Sequence, residues 1–497
     1  MKIFYFLILT LFISGSQAQI KISGTIIGYN EKHSFSFNVP FSNWIHPQNE
    51  HVVLPDKNGN FQITLPVTGS QIFFLNYEKK IIYLYGEPGK TLIIKTEAKD
   101  PVKALHFSGT LANENSLRHA IGLTHYELGT AIKTDSRIIA TEVLKQIRKN
   151  QQEITNKISH INFTYSASFI QMLRADIRYF LPSKVWQLIW DTGVLSTSNP
   201  TPENRMQWMQ VLREAHEGLP VSDDEAINSY HYQQMISYYP RFLERKFDQK
   251  DSMQQLVSMI LEKPFGDAMK EMRAKGQEYW EYTVYDKLLT GKAKEKILAA
   301  FLIKCYDNGE LRYQLEAYNR YQTNYPAGEF LVTVEKKMVP FLNSLSAPDP
   351  GQADIEIETT GTRFMSLDSV LIKHKGKLVY IDLWGTWCGP CRDQFRFTRE
   401  LKQRFKGKPV DFLYIAKETR PDPESYWRQM IRFYNLSGRH LMMDKDLEEH
   451  FKNMYGKGGG LVFPSYMLAD KNGRIISIHF KQPSDREQLY SEIEKFL

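Results

Sequence analysis

A Cys-Gly-Pro-Cys tetrapeptide, Cys388–Cys391, constrains this chain more than any other feature of its sequence. It closely follows an apolar segment, Lys377 to Leu383, in which Asp382 is the one acid. Residues of one predicted helix face then follow at Phe395, Thr398, Leu401 and Phe405. This change of pattern places Cys388 where a buried strand ends and a helix begins.

That position favours a reactive cysteine thiolate. The first turn of a helix presents unpaired N–H groups and a partial positive charge, and both stabilise a thiolate. The thiolate is the nucleophilic form of cysteine. Pro390 fits there because its missing N–H would have no helical partner. Two residues between Cys388 and Cys391 let the sulfurs close a disulfide with little backbone motion, so the pattern indicates a reactive thiol pair.

A zinc half-site is the alternative for a Cys-x-x-Cys motif. Zinc prefers four ligands, and the sequence holds no second Cys pair. We therefore predict no metal site and no cofactor. The third cysteine, Cys305, lies in an apolar helical stretch and is predicted to be a small buried hydrophobe.

The composition is that of a globular protein and does not favour nucleic-acid binding. Hydrophobic residues make up 42% and charged residues 24% of the 497 residues, as is typical of globular proteins. Lys and Arg number 63 against 56 Asp and Glu, and this mild excess does not predict a nucleic-acid partner.

The first 18 residues are predicted to be a signal peptide. Lys2 and an apolar segment, Ile3 to Ile13, precede small residues and a cut before Gln19. An uncleaved membrane anchor is the alternative. Because the residue after the cut is not Cys, no lipoprotein signal of the usual bacterial kind is expected. No later apolar run reaches a membrane-spanning length. We expect a soluble mature protein in an oxidising periplasm.

The rest of the chain divides by pattern. Residues 19–108 show alternating apolar residues and turn signals, such as Asn58-Gly59, and predict an all-β, sandwich-like domain. Residues 109–346 follow a helical period, and a Pro-rich linker is predicted at 347–354. Alternating strand and helix patterns predict a C-terminal α/β domain at 355–497.

The α/β region resembles thioredoxin. The stretch Trp387–Cys391 matches the thioredoxin motif, and Asp382 stands six residues before Cys388, at the place of the family's buried acid. Phe463–Tyr466 resembles the cis-proline loop, which faces the cysteine pair and docks the substrate chain. A hairpin turned at Asp470–Gly473 follows, before a predicted last helix from Asp485 to Leu497. The resemblance implies a thioredoxin-like fold.

Additional chain between the cysteines and Pro464 is similar to that of exported TlpA/ResA-type thiol–disulfide oxidoreductases. It includes a predicted helix begun by Asp422-Pro423 and a Gly458–Gly460 loop. Two residues depart from the family pattern: Arg396 replaces a kinking proline, and Gln394 stands where relatives often have an acid. Arg392, Arg396 and Arg399 lie on or near the active-site helix, where they would lower the Cys388 pKa or bind an acidic partner; the alternative is a solvated helix face.

The resemblance implies an activity and roles. Cys388 would attack a client disulfide, Cys391 would resolve the mixed disulfide, and the pair would become a redox-active disulfide. Asp382 would exchange the proton of Cys391. The client groove would be formed by Trp387, Gly389, Pro390, Phe463 and Pro464. A Gly-Pro dipeptide without histidine is typical of reducing members, which implies disulfide-containing client proteins and a membrane electron donor.

Two other classes stay open. The residues upstream of 347 carry no visible catalytic site, so the chain could be a binding protein whose thiol pair responds to redox state. A thiol peroxidase is less favoured. Its Pro-x-x-x-Thr-x-x-Cys motif requires proline at a position where this chain has Ile381, and Thr386 stands two residues before Cys388.

Overall fold

The structure is a computed structural model that describes residues 19–497, except 32, 79, 125–139, 160–164, 196–201, 247–249, 347–354, 359–362, 420–422 and 457–459. The predicted signal peptide, the predicted linker and two glycines of the Gly458–Gly460 loop lie outside the described residues. Contacts group the chain into two compact units. One runs up to Met269 and includes Trp280–Ala300; the other comprises Lys270–Tyr279 and Phe301–Leu497.

The first unit begins with a β-structure. Its described strands are β1 (Gln19–Ile27), β2 (Phe35–Asn38), β3 (Glu50–Val52), β4 (Asn60–Pro66), β5 (Gln71–Tyr77), β6 (Lys80–Gly86), β7 (Thr91–Glu97) and β8 (His106–Ser108). They form two sheets, of order β4-β1-β7-β8 and β3-β2-β5-β6. Phe35 on one sheet packs against Phe61 on the other, with 4.7 Å between ring centroids. The predicted sandwich-like β-structure is confirmed.

Helices follow through the middle of the chain. The described ones are α1 (Ala112–Ala120), α2 (Ala140–Ile158), α3 (Ala167–Arg178), α4 (Phe180–Thr192), α5 (Pro202–His216), α6 (Tyr230–Ser237), α7 (Tyr239–Lys246), α8 (Lys250–Leu261), α9 (Phe265–Lys275), α10 (Gln277–Leu288), α11 (Gly291–Asp307), α12 (Gln314–Asn324) and α13 (Leu331–Ser346). Cys305 is buried, as predicted. Across the described residues, no helix combines the length and apolar character needed to cross a membrane.

The predicted domain boundaries stay predictions. The second compact unit includes the end of α11, all of α12 and all of α13, together with everything that follows. These helices lie upstream of the predicted linker, yet they pack on the C-terminal region: Phe341 of α13 lies 5.7 Å, between ring centroids, from Phe433. The division between the two compact units therefore falls within the helical region and not at its C-terminal end.

The C-terminal region is built on one sheet. Its described elements are β9 (Ile355–Ile357), α14 (Leu367–Leu371), β10 (Leu378–Trp384), α15 (Gly389–Arg404), β11 (Val410–Ala416), α16 (Pro423–Phe433), β12 (Gly438–Met442), α17 (Lys445–Met454), β13 (Ser465–Ala469), β14 (Ile475–Ser477) and α18 (Glu487–Glu494). The strand order is β14-β13-β10-β11-β12-β9. Strands β10, β11, β12 and β9 run parallel, whereas β13 is antiparallel to β10 and β14 to β13.

Helices cover both faces of this sheet. Every residue of β10 is buried, and its side chains alternate between the faces. Val379, Ile381 and Leu383 pack in a core that contains residues of α14 and α17. Leu378 and Tyr380 pack on the other face, with residues of α15 and α18. The same alternation puts Asp382 on the α15 face.

The last helix is shorter than predicted. The sequence predicts a helix from Asp485 to Leu497, but α18 begins only at Glu487. A short 3₁₀ turn, Pro483–Asp485, precedes it, and Arg486 has a φ of 46°, which interrupts helical geometry. The hairpin before it is as predicted: the Gly473 N–H donates to the Asp470 carbonyl.

Candidate active site

Cys388 and Cys391 form a disulfide at the start of α15. Cys388 is the N-cap residue, and its sulfur accepts a hydrogen bond from the Cys391 N–H at 3.1 Å. Pro390 occupies the first turn, where its missing N–H costs no helical bond. Cys391 is fully buried, and Cys388 is 3% exposed. An approaching disulfide would therefore meet Cys388 first.

A tight turn delivers Cys388 to this position. The Cys388 N–H donates to the Gly385 carbonyl at 3.0 Å, so residues 385–388 form a turn between β10 and α15. The Trp387 indole N–H donates to the Lys417 carbonyl at 2.8 Å, directly after β11. The ring nonetheless keeps 38% of its surface exposed. It thus offers an apolar surface beside the disulfide.

The proline loop lies on the same side. The Phe463–Pro464 peptide bond is cis, as the resemblance implies. Strand β13 begins at Ser465, which pairs with Leu383 near the end of β10. This pairing brings the loop next to the cysteine turn, where Phe463 meets Trp387 edge-to-face at 5.3 Å between ring centroids. Trp387 and Phe463, the two aromatic residues predicted for the client groove, therefore lie in contact.

Asp382 is a buried acid beneath α15. It is 2% exposed, and neither carboxylate oxygen has a hydrogen-bond partner among the described residues. Burial raises the pKa of Asp382 to about 8, and the nearby Lys402 ammonium opposes that rise. A carboxyl group with such a pKa exchanges protons near neutral pH. The raised pKa is consistent with the proton-exchange role expected of Asp382.

Lys402 is the cation that acts on Asp382, and it is not among the residues predicted for the site. It lies on α15 and donates a hydrogen bond to the Ser437 carbonyl. Burial lowers the pKa of Lys402 to about 7, and the Asp382 carboxylate opposes that fall. Because both groups titrate near neutrality, protonation of one depends on the other. Lys402 follows Asp382 by 20 positions on another element, so no local pattern signals this pairing.

The arginines of α15 and Gln394 lie in different surroundings. Arg396 and Arg399 are exposed on α15, as the solvated-face alternative predicts. The Arg392 guanidinium instead turns inward and donates to the Thr386 carbonyl at 2.8 Å. Gln394 accepts a hydrogen bond from the Ser484 N–H at 2.9 Å, so its amide ties α15 to the segment before α18.

Glycine is required at position 385. A Cβ there would lie 2.6 Å from the Trp387 indole nitrogen and 2.7 Å from the Lys417 carbonyl oxygen. We expect Gly385→Ala to displace Trp387 and to destabilise the protein by about 1–3 kcal/mol. Thermal unfolding of the full chain measures this. Gly460→Ala is the matched control, since a Cβ at Gly460 meets nothing within 4 Å. Equal unfolding temperatures for the two variants would contradict the assignment.

Comparisons with known proteins agree with this geometry. The model of the Redoxin family matches residues 366–493. Thiol-disulfide oxidoreductase ResA from Bacillus thuringiensis subsp. konkukian is 28% identical over 129 residues, covering 24% of this chain and 64% of that protein. ResA from Geobacillus thermodenitrificans is 28% identical over 109 residues, covering 22% of this chain and 57% of that protein. The chain thus spans less than two thirds of these relatives.

Solved structures are similar to about a quarter of the chain. The thioredoxin domain of a thiol-disulfide oxidoreductase from Bacteroides vulgatus is 24% identical, with a TM-score of 0.22, and the match covers 25% of this chain and 83% of that one. The family match and the architecture of the C-terminal sheet concern one region. Residues 366–493 therefore form a redoxin domain with a thioredoxin-like fold, similar to the ResA thiol-disulfide oxidoreductases.

Proposed function

We propose that this protein is an exported thiol–disulfide oxidoreductase that reduces disulfides in periplasmic client proteins. The observation that carries the proposal is the Cys388–Cys391 disulfide at the start of α15. The cis Phe463–Pro464 loop and the buried Asp382 complete the site around it. The two ResA relatives, named as thiol-disulfide oxidoreductases, support the same reaction class.

In the reduced protein, the Cys388 thiolate attacks one sulfur of a client disulfide. A Cys388–client disulfide forms, and the other client sulfur leaves as a thiolate. Cys391 then attacks the Cys388 sulfur, which breaks the mixed disulfide and releases the second client sulfur. The client gains two electrons, and the pair ends oxidised. Asp382 accepts the proton that Cys391 loses, because burial holds its pKa near the working pH.

The client binds across the exposed apolar surface beside the disulfide. Trp387 and Phe463 form its walls, and Pro464 lies where strand β13 begins. Gly389 and Pro390 lie in the first turn of α15, where Gly389 is half-buried and Pro390 is exposed. A client segment laid along this surface would bring its disulfide to Cys388. Each round leaves the pair oxidised, so a membrane electron donor must return two electrons.

The reduction potential of the Cys388–Cys391 pair tests the proposed direction of electron flow. We expect the Cys388–Cys391 pair to have a reduction potential near that of thioredoxin, about −270 mV, because a Gly-Pro dipeptide without histidine is typical of reducing members. Equilibration of the full chain with glutathione or dithiothreitol buffers gives this value. A potential near that of DsbA, about −120 mV, would reverse the direction and make the protein an oxidase.

A further inference from the structure

Charged side chains hold the turn that carries Cys388 from two sides. The Glu418 carboxylate accepts hydrogen bonds from the Thr386 N–H at 2.7 Å and from its hydroxyl at 2.6 Å. From the other side, the Arg392 guanidinium donates to the Thr386 carbonyl at 2.8 Å. Thr386 is fully buried, so these polar groups need protein partners. Glu418 and Arg392 therefore fix the backbone two residues before Cys388.

Arg392 is itself held by a residue from upstream of the redoxin domain. Glu310 lies in the 308–313 loop, which joins α11 to α12. Its carboxylate lies 4.0 Å from a terminal nitrogen of Arg392, and only 11% of the Arg392 side chain is exposed. A long, mobile side chain such as arginine loses entropy when it is fixed, and a second favourable contact helps to offset that loss. Glu310 supplies this second contact.

The 308–313 loop is fitted closely to the redoxin domain. The Tyr426 hydroxyl donates to the Gly309 carbonyl at 3.2 Å and accepts from the Leu311 N–H at 3.2 Å. Gly309 has a φ of 66°, and a Cβ there would overlap the Tyr434 hydroxyl and lie 3.3 Å from Cδ of Arg392. A side chain at position 309 would therefore crowd Tyr434 and the stem of Arg392.

The base of the loop is anchored in the helices. The buried Asp307, the last residue of α11, pairs with Lys337 of α13 at 2.8 Å. The Glu310 N–H donates to the Cys305 carbonyl at 2.8 Å, which closes the end of α11. Helices α11 and α13 therefore help to fix Glu310 beside Arg392.

We propose that the 308–313 loop is a part of the active site, in which Glu310, Arg392 and Glu418 act as positioning residues for Cys388. Held in place, the turn keeps the Cys388 sulfur at the N-cap of α15, where it accepts the Cys391 N–H. The relevance to catalysis rests on the proposed function; the positioning itself does not. The upstream helices would then be required for the normal reactivity of Cys388.

Alkylation of Cys388 by iodoacetamide tests this in the reduced full chain, with the modified peptide identified by mass spectrometry. The variants are Gly309→Ala, Glu310→Ala, Glu418→Ala and Glu418→Gln. If the acids act by charge alone, their removal favours the thiolate and speeds alkylation. If they position the turn, their removal weakens the N–H contact to the thiolate and slows alkylation. The sign of the change therefore separates the two roles, and Gly309→Ala changes no charge at all.

We expect Gly309→Ala, Glu310→Ala and Glu418→Ala to slow alkylation at pH 7 by about threefold or more. Glu418→Gln should keep nearly the normal rate, because its amide oxygen still accepts the Thr386 N–H. Glu316→Gln is the matched control. Glu316 lies on α12 and pairs with Lys275 of α9 at 2.6 Å, away from Arg392. Its rate should equal that of the unmodified chain.

Three results would overturn the inference: an unchanged rate in Glu310→Ala, a faster rate in both Glu310→Ala and Glu418→Ala, or equal slowing in the Glu316→Gln control. Glu310 is a partly exposed loop residue, so its variant is expected to fold even if Gly309→Ala does not. Absence of turnover in the unmodified chain would remove the proposed function. The alkylation rates would still decide the positioning role.

Discussion

Cys388→Ser is expected to abolish disulfide reduction by the full-length protein, lowering turnover by ~10³-fold or more. A serine hydroxyl stays protonated at neutral pH and cannot replace the thiolate that attacks the client disulfide. Turnover is followed with a generic disulfide substrate and dithiothreitol as electron source. The partner variant Cys391→Ser should still attack but fail to resolve, so it should accumulate a mixed disulfide that is visible on a non-reducing gel.

Cys305→Ser is the matched control for this experiment, because Cys305 is buried in α11. Its turnover should match that of the unmodified chain. If Cys388→Ser still reduces the substrate, the proposed mechanism is wrong. If the unmodified chain shows no turnover and Cys388→Ser keeps a bound partner, the protein belongs instead to the class of redox-responsive binding proteins.

Local chemistry made the core of the site predictable. A buried strand, a cysteine and a helix in immediate succession place Cys388 at an N-cap whatever the rest of the chain does, and α15 begins directly after it. The alternation of β10 likewise predicts a buried face for its side chains, so burial of Asp382 follows from its neighbours. The cis bond before Pro464 came from the family resemblance.

Long-range pairings could not be predicted in this way. Glu418 follows Thr386 by 32 residues, and Glu310 precedes Arg392 by 82, so their contacts depend on how separate elements pack. From the sequence alone, Arg392, Arg396 and Arg399 fit two interpretations. The structure divides them, because only Arg392 finds a buried carbonyl to bind. Similarly, no local signal assigns the last helices before the linker to the second compact unit.

Asp382→Asn is expected to raise the free energy of unfolding by up to about 4 kcal/mol at pH 7 and by almost nothing at pH 4. Burial raises the pKa of Asp382 from its ordinary 3.8 to about 8. Below pH 3.8 the carboxyl is protonated in both the folded and the unfolded chain. As the pH rises, the unfolded chain ionises first, so the folded state loses stability until about pH 8. Asparagine does not ionise and escapes this loss.

Hydrogen exchange of the β10 amides, followed by mass spectrometry in the oxidised full chain, measures this free energy at pH 4, 7 and 9. Asp393→Asn, an exposed acid on α15, is the control and should leave the values unchanged. Loss of the Asp382 carboxylate also removes the group that raises the pKa of Lys402, which offsets part of the gain at pH 7. A gain of equal size at every pH would show that folding does not raise the pKa of Asp382.

The same substitution should damage catalysis while it stabilises the fold. Without the carboxyl, Cys391 loses its proposed proton acceptor, so resolution of the mixed disulfide should slow by about 10²-fold at pH 7. Stopped-flow mixing of the reduced protein with a disulfide substrate separates this step from the first attack, which should keep its rate. Above about pH 9 hydroxide can take the proton, so the deficit should shrink. A variant that is more stable but resolves at the normal rate would assign Asp382 no part in the proton transfer.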